Sequence, residues 1–249
     1  MSGLADRAGL HRTVRPSGER YPIDVVFVVD GTESMTPLLE RVKMRILTLD
    51  GEIERELQRS NRVLDSLRAR LIVFRDLYDD PETAFETTRF FDLPAQREEF
   101  ENAVKSIDAF GGNDAPESGL EAVFLAMRSP WRNEPQDLKR RHIVMLFTDQ
   151  DAHALGATIP ANYAQPPHPR TMPELKKLWG PRTRGGIMND RARRMVLFAP
   201  QELETKQDSA STWWTEMQSW ESVWIERRDD QGLIDLSWDE VVKALVATI

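Results

Sequence analysis

The stretch that decides the fold is Asp24-Val25-Val26-Phe27-Val28-Val29-Asp30-Gly31-Thr32-Glu33-Ser34-Met35. Four of the five residues from Val25 to Val29 are β-branched, and the apolar run is continuous rather than alternating. This pattern predicts a strand that is buried on both faces, as in a parallel sheet. The strand ends at Asp30, and Thr32 and Ser34 follow at intervals of two residues. One carboxylate and two hydroxyls in a tight loop form a cluster of hard oxygens, which suits Mg²⁺ or Mn²⁺.

Strand and helix patterns alternate along the rest of the chain, which predicts an α/β fold with an open, mainly parallel sheet. Helices are expected from Thr36 to about Arg59 and over 96–107, 116–127, 172–179, 211–220 and 238–248. Further strands are expected over 69–76, 85–92, 142–149, 194–200 and 223–226, with 85–92 antiparallel at the edge. Open α/β sheets place their ligands beyond the carboxyl ends of the strands. Asp149 ends its own buried-strand pattern, as Asp30 does.

A polar, Gly-rich loop lies between these two strands: Gly111-Gly112-Asn113-Asp114-Ala115-Pro116-Glu117-Ser118. The order of strand with Asp-x-Thr-x-Ser, Gly-Gly-polar loop, and strand with Thr-Asp resembles the von Willebrand factor A (VWA) family. The resemblance implies a doubly wound, Rossmann-like sheet with helices on both faces. We expect this domain to cover 21–249, after a flexible arm over 1–20 that is polar and contains Gly and Pro.

The resemblance also implies a metal-ion-dependent adhesion site that holds one divalent cation, Mg²⁺ or Mn²⁺. Its predicted residues are Asp30, Thr32, Ser34, Asp114 and Asp149. Thr32 offers the same hydroxyl as the serine usual in that family. In the middle loop Asn113 and Asp114 compete for the same role, and Asp114 is preferred because a carboxylate is the stronger ligand.

Four other polar residues near this edge each have two interpretations, one structural and one functional. Glu33 is either a solvated loop charge, which we favour, or an additional carboxylate beside the ion. Glu117 is expected to cap or charge the first turn of its helix rather than to bind metal. Asp151 and His153 follow Asp149 closely, and His153 could act as a ligand or base, although a lone histidine is more often a surface or packing residue.

The predicted function is metal-dependent protein binding, in which an Asp or Glu of a partner completes the coordination of the ion. The middle loop resembles the bacterial intracellular branch of the family, which implies partners such as an AAA-type ATPase or a kinase or phosphatase component. The alternative is an enzyme: a Mg-dependent phosphatase similar to haloacid dehalogenases, with Asp30 as the nucleophile. Such phosphatases usually carry a second Asp two positions later, where this chain has Thr32.

Composition narrows the class of protein further. The chain has 249 residues, enough for one α/β domain, and a net charge of −8, which argues against binding to nucleic acid or an anionic membrane. It has no cysteine, which excludes disulfides and thiol catalysis. No apolar stretch has the length of a signal peptide or a membrane span, so a cytoplasmic location is expected. The Pro-rich segment 156–173 is expected to emerge at the same edge as the metal site.

Overall fold

The computed structural model describes residues 18–79, 81–112, 116–134, 139–156, 168–200, 202–204, 209–226, 242–243 and 246. The expected arm over 1–20 therefore lies almost wholly outside the described residues, as does most of the Pro-rich segment. Of the closing helix expected over 238–248, only Val242, Lys243 and Val246 are described, and all three are helical.

The described residues form nine strands and five α-helices. The strands are β1 (Glu19–Asp30), β2 (Arg62–Phe74), β3 (Phe85–Thr87), β4 (Phe91–Leu93), β5 (Arg141–Phe147), β6 (Arg193–Phe198), β7 (Glu202–Glu204), β8 (Ser209–Ser211) and β9 (Val223–Glu226). The helices are α1 (Thr36–Arg59), α2 (Arg97–Lys105), α3 (Gly119–Met127), α4 (Met172–Trp179) and α5 (Trp213–Met217). Short 3₁₀ turns occupy Glu33–Met35 and Arg182–Arg184.

Within the described ranges, seven strands form one open sheet in the order β3-β2-β1-β5-β6-β9, with β4 also paired to β2. The neighbours β2, β1, β5, β6 and β9 are all parallel, whereas β3 and β4 run antiparallel to β2. The predicted fold class, an open and mainly parallel α/β sheet, is thus confirmed. Because β1 and β5 are parallel neighbours, their carboxyl ends lie at the same edge of the sheet.

The sheet separates two hydrophobic cores, and β1 contributes alternate residues to each. Val25, Phe27 and Val29 pack with α1 and α2 on one face. Val26 and Val28 pack with α3, α4 and α5 on the other. This division explains why the apolar run of β1 is continuous, and it confirms helices on both faces of the sheet.

The edge of the sheet beside β2 differs from the prediction. The single strand expected over 85–92 is two short strands, β3 and β4. Between them the Thr88 side chain enters the ladder, where its Oγ1 accepts the Leu71 N–H at 2.9 Å. A side-chain acceptor in place of a backbone carbonyl interrupts the regular pairing. No helix in the described part of the chain is both long and apolar enough to cross a membrane.

Candidate metal centre

Asp30 ends β1 in a fully buried position, with hydrogen bonds to both of its carboxylate oxygens. Asp30 Oδ1 accepts the backbone N–H of Thr32 at 2.9 Å and its hydroxyl at 2.6 Å. Asp30 Oδ2 accepts the hydroxyl of Thr148 at 2.6 Å. Thr148 directly follows β5, so this carboxylate ties the ends of the two central strands together.

A chain of oxygens leads from this buried carboxylate to the surface. Thr32 Oγ1 lies 3.2 Å from Ser34 Oγ, which in turn donates to Asp149 Oδ1 at 2.9 Å. Thr32 is buried, Asp149 is half-buried and Ser34 is exposed. The structure thus brings together four of the five predicted residues: Asp30, Thr32, Ser34 and Asp149. The fifth, Asp114, and its competitor Asn113 lie outside the described residues.

Two glycines allow the loops at this edge to approach each other closely. A Cβ on Gly31 would lie 2.7 Å from a methyl carbon of Val73 on the neighbouring strand. Gly112 has a φ of +70°, and a Cβ there would lie 2.6 Å from Glu117 Oε1 and 2.7 Å from Thr32 Cγ2. Only glycine fits both positions without displacing the residues of the cluster.

The guanidinium of Arg75 holds the loops around the cluster in place through hydrogen bonds to their backbone carbonyls. It donates to the carbonyls of Gly31 at 3.1 Å, Asp108 at 2.8 Å and Thr83 at 3.2 Å, and to Glu86 Oε1 at 2.6 Å. Its Cζ lies 3.7 Å from the ring centroid of Phe110. One buried cation therefore links four segments that meet at the carboxyl edge of the sheet.

Glu117 is part of this cluster, which sequence reasoning missed. Glu117 directly precedes Ser118, the N-cap of α3, as expected for a residue at the helix start. Its backbone also forms a parallel bridge with Ala152, and its side chain is only 2% exposed beside Thr32. Glu117 Oε2 has no hydrogen-bond partner among the described residues. The only signal in the sequence was its place in the middle loop, directly after Ala115-Pro116.

Burial, with a smaller effect of neighbouring acids, raises the pKa of two carboxyl groups of the cluster. Burial, and secondarily the charge of Asp149, raise the pKa of Asp30 to about 6, against the hydrogen bonds from Thr148 and Thr32 that lower it. Burial, followed by the charges of Asp30, Asp76 and Asp149, raises the pKa of Glu117 to about 9. Both shifts mean that burial disfavours the charged form of these carboxylates, and the neighbouring acids add to the effect.

The donor atoms fit a hard divalent cation. Among the described residues, no three His, Asp or Glu side chains group closely enough to hold an ion by themselves. The fit therefore depends on the hydroxyls of Thr32 and Ser34 together with the carboxylates of Asp149 and Glu117. All of these are oxygen ligands, which Mg²⁺ and Mn²⁺ prefer. The unpartnered oxygen of Glu117 is the atom that such an ion would satisfy.

The remaining residues singled out near this edge have structural partners. Glu33 is exposed, and its backbone N–H donates to the Gly111 carbonyl at 3.0 Å. Asp151 Oδ1 accepts the backbone N–H groups of Ala152 and Trp213. His153 Nε2 lies 3.2 Å from Asp76 Oδ1, and the His153 ring packs edge-on against Tyr78.

Comparison with known proteins shows the fold alone. The pilus adhesin SpaC from Lactobacillus rhamnosus GG, in its open conformation, superposes with a TM-score of 0.53 at 14% identity. That match covers 91% of this chain and 29% of the adhesin. A second structure of the same adhesin gives a TM-score of 0.52 at 12% identity, over 91% of this chain and 30% of the other. The chain thus spans less than a third of these proteins. No family model matches it, and no curated protein matches significantly.

Proposed function

We propose that this chain is a VWA-like module that binds a partner protein through a divalent cation, Mg²⁺ or Mn²⁺. The observation that carries the proposal is the convergence of two distant loops, at which Ser34 Oγ donates to Asp149 Oδ1 at 2.9 Å. Beside them, the buried Glu117 offers an oxygen without a partner among the described residues. These donors lie at the carboxyl edge of a parallel sheet, where α/β proteins bind their ligands.

Each residue has a distinct part in this proposal. Asp30 orients the Thr32 hydroxyl by accepting its hydrogen bond. Ser34, Asp149 and Glu117 present oxygens towards the ion. When bound, the cation supplies a Lewis-acidic position that a carboxylate can enter. Because Ser34 is exposed, this position faces solvent, so an Asp or Glu on a partner surface can reach it. We expect Asp114, in the same loop as Glu117, to add a further carboxylate.

The hydrogen bonds of Asp30 favour a binding module over the alternative phosphatase. A nucleophilic carboxylate must reach the phosphorus atom of its substrate, yet Asp30 is fully buried. Both of its oxygens accept hydrogen bonds at 2.6 Å, from Thr32 and from Thr148. Turnover of p-nitrophenyl phosphate with Mg²⁺, lost in Asp30→Asn, would favour the phosphatase instead.

The biological setting belongs to the same proposal. The loop from Gly111 to Glu117 resembles the bacterial intracellular branch of the VWA family, which supports a role in a cytoplasmic bacterial complex. The partner we expect is a protein with an accessible acidic residue, such as an AAA-type ATPase or a kinase or phosphatase component. Nucleic acid and membrane are not expected partners, given the net charge of −8.

Direct measurement of Mn²⁺ binding tests the proposal. The spectrum of free Mn²⁺ should disappear on addition of the wild-type protein, with one ion bound per chain, and Mg²⁺ should compete. Asp149→Asn should abolish binding because it removes a carboxylate at the solvent-facing side of the site. Asp65→Asn is the matched control, since Asp65 is an exposed acid that forms an ion pair with Arg20, away from the site. Equal binding by wild type and Asp149→Asn would refute the site.

Partner binding is the second arm of that test. Immobilised wild-type protein should retain a partner in Mg²⁺ and release it in chelator, whereas Asp149→Asn should retain none in either buffer. Retention that is unaffected by chelator would indicate a scaffold that works without metal.

A further inference from the structure

A cavity of about 390 Å³ lies between α3, α4, the pair His168 and Pro169, and the pair Gly185 and Ile187, on the face of the sheet that carries the second core. Its volume is within the range of pockets that bind small molecules, roughly 300–1,000 Å³. None of the residues of the candidate metal centre lines it. The cavity is therefore a separate feature of the fold.

The inner wall of the cavity is apolar and fixed by the fold. Phe124 of α3 is 2% exposed, and the half-buried Leu178 and Ile187 pack against the same core. The backbone N–H of Ile187 donates to the carbonyl of Leu178 at 2.9 Å, which joins two parts of the wall. An apolar ligand surface placed here would be removed from water, which favours binding.

The rim of the cavity carries two cations. Arg128 and Lys177 are both exposed and line the cavity, and Arg128 Cζ lies 5.7 Å from the ring centroid of Phe124. Glu174 also lines the cavity, so two cations face one acid there; its Oε2 accepts the backbone N–H of Arg170 at 2.6 Å. The His168 ring, also in the lining, packs against Phe124, and burial lowers its pKa. The rim thus offers positive charge next to an apolar wall.

We propose that this cavity binds a small organic carboxylate with an apolar body. The apolar part would lie against Phe124, Leu178 and Ile187, and the carboxylate would meet Lys177 and Arg128 at the rim. Charge-assisted hydrogen bonds from these two side chains distinguish a carboxylate from a neutral molecule of the same shape. This site is independent of the proposed cation-dependent function.

Titration with two probes of matched shape tests the site by NMR. 2-Naphthoate carries the carboxylate, and 2-naphthylmethanol has the same ring system without charge. The titration is done in chelator, so that no metal ion is free to bind the carboxylate of the probe. Under this condition 2-naphthoate should shift the methyl signals of Leu178 and Ile187. The methyl signals of Ile53, fully buried in the other core, should stay in place. Absence of shifts at Leu178 and Ile187 with millimolar 2-naphthoate would overturn the proposal.

Charge removal provides the second readout. Lys177→Gln should weaken 2-naphthoate binding about tenfold and leave 2-naphthylmethanol binding unchanged. Lys176→Gln is the matched control, because Lys176 neighbours it on α4 but donates to Ser219 away from the cavity. Equal affinity for the charged and neutral probes, or an equal loss in both variants, would refute the role of the rim cations.

Discussion

At the scale of single residues, Glu121 makes the free energy of unfolding depend on pH. It is 2% exposed on α3, and its Oε2 has no hydrogen-bond partner among the described residues. Burial raises its pKa from 4.5 to about 7, although the nearby His153 and Tyr78 oppose the shift. Between these two pH values the folded protein binds more protons than the unfolded chain. The contribution of Glu121 to the free energy of unfolding therefore falls as pH rises from 4.5 to about 7.

Glu121→Gln should remove this fall, because glutamine resembles the protonated acid and does not ionise. Its free energy of unfolding should exceed that of wild type by up to about 3 kcal/mol near pH 8, and match it near pH 4. Urea unfolding across this pH range measures the difference. Glu54→Gln, an exposed change on α1, should follow the wild-type profile. A Glu121→Gln profile parallel to wild type would show that Glu121 ionises normally.

Asp24 is a second buried acid, but it is fully paired. At the start of the apolar run of β1, it accepts hydrogen bonds from Arg68 Nε at 2.9 Å and Nη2 at 2.5 Å, and from the Arg132 N–H at 3.1 Å. Asp24→Ala would leave the buried Arg68 without its counter-charge. We expect a loss of about 3–5 kcal/mol in the free energy of unfolding, measured by urea.

The matched control for Asp24 is Asp65→Ala, which breaks an exposed pair with Arg20. Exposed pairs contribute about 0–1 kcal/mol, so this change should cost little. Similar losses for both variants would mean that water reaches Asp24.

The residues of the candidate centre were predictable to different extents. Asp30, Thr32, Ser34 and Asp149 lie at or just after apolar runs that predict buried strands, and the order of the motifs along the chain, which resembles the VWA family, predicted their convergence. The place of Glu117 was not, because it depends on the path of a loop with positive φ at Gly112 and on pairing with Ala152. Such tertiary contacts leave no periodic pattern in the sequence.

At the scale of elements, the strongly patterned segments were predicted best. Helix α1 occupies the predicted range Thr36–Arg59, because seven apolar side chains recur at helical spacing along one face. Strand β2 begins earlier than expected, at Arg62 rather than Ala69. Its first residues are only half-buried and polar in part, so they lack the apolar run that identifies a central strand.

Arg75 sets the geometry of the sheet edge without touching the proposed ion. Arg75→Lys keeps the charge but loses the planar fork that serves three carbonyls. We expect a loss of about 2–4 kcal/mol in the free energy of unfolding and weaker Mn²⁺ binding, because the loop at Gly31 loses its anchor. Urea unfolding and Mn²⁺ titration measure the two effects.

The matched control for Arg75 is Arg89→Lys. Arg89 forms an ion pair with Glu99 in which both side chains are 55% exposed, so its change should alter neither quantity. Unchanged Mn²⁺ affinity in Arg75→Lys would show that the loop at Gly31 keeps its shape without the guanidinium.

At the scale of the whole molecule, the pattern of burial rather than residue identity specifies the fold. The likeness to the pilus adhesin persists at 14% identity over 91% of this chain. Alternating use of β1 by two cores needs only apolar side chains of suitable size, so many sequences satisfy it. The site is more demanding, because it needs particular oxygens in loops that are far apart in sequence.

A cation at the site should stabilise the whole domain, since it would bind the folded state and find no such arrangement in the unfolded chain. Ser34 and Asp149, whose side chains meet at the site, are 115 residues apart in sequence, and Glu117 adds a third segment. At a hundredfold excess over its dissociation constant, Mg²⁺ or Mn²⁺ should add about 2.7 kcal/mol to the free energy of unfolding and raise the melting temperature. Calorimetry with increasing cation, and again in chelator, measures the change.

Glu117→Gln tests whether the cation stabilises the protein by binding at this site or only by raising the ionic strength. The amide keeps the shape of the side chain but is a weaker ligand, so the cation-dependent rise in melting temperature should shrink while the fold is kept. In chelator the variant should be at least as stable as wild type, because a crowded buried acid is replaced by a neutral group. Glu54→Gln should respond to cation as wild type does. An equal rise in all three proteins would mean that the ion acts away from Glu117, and that the cluster of oxygens at the end of β1 serves only to join the loops.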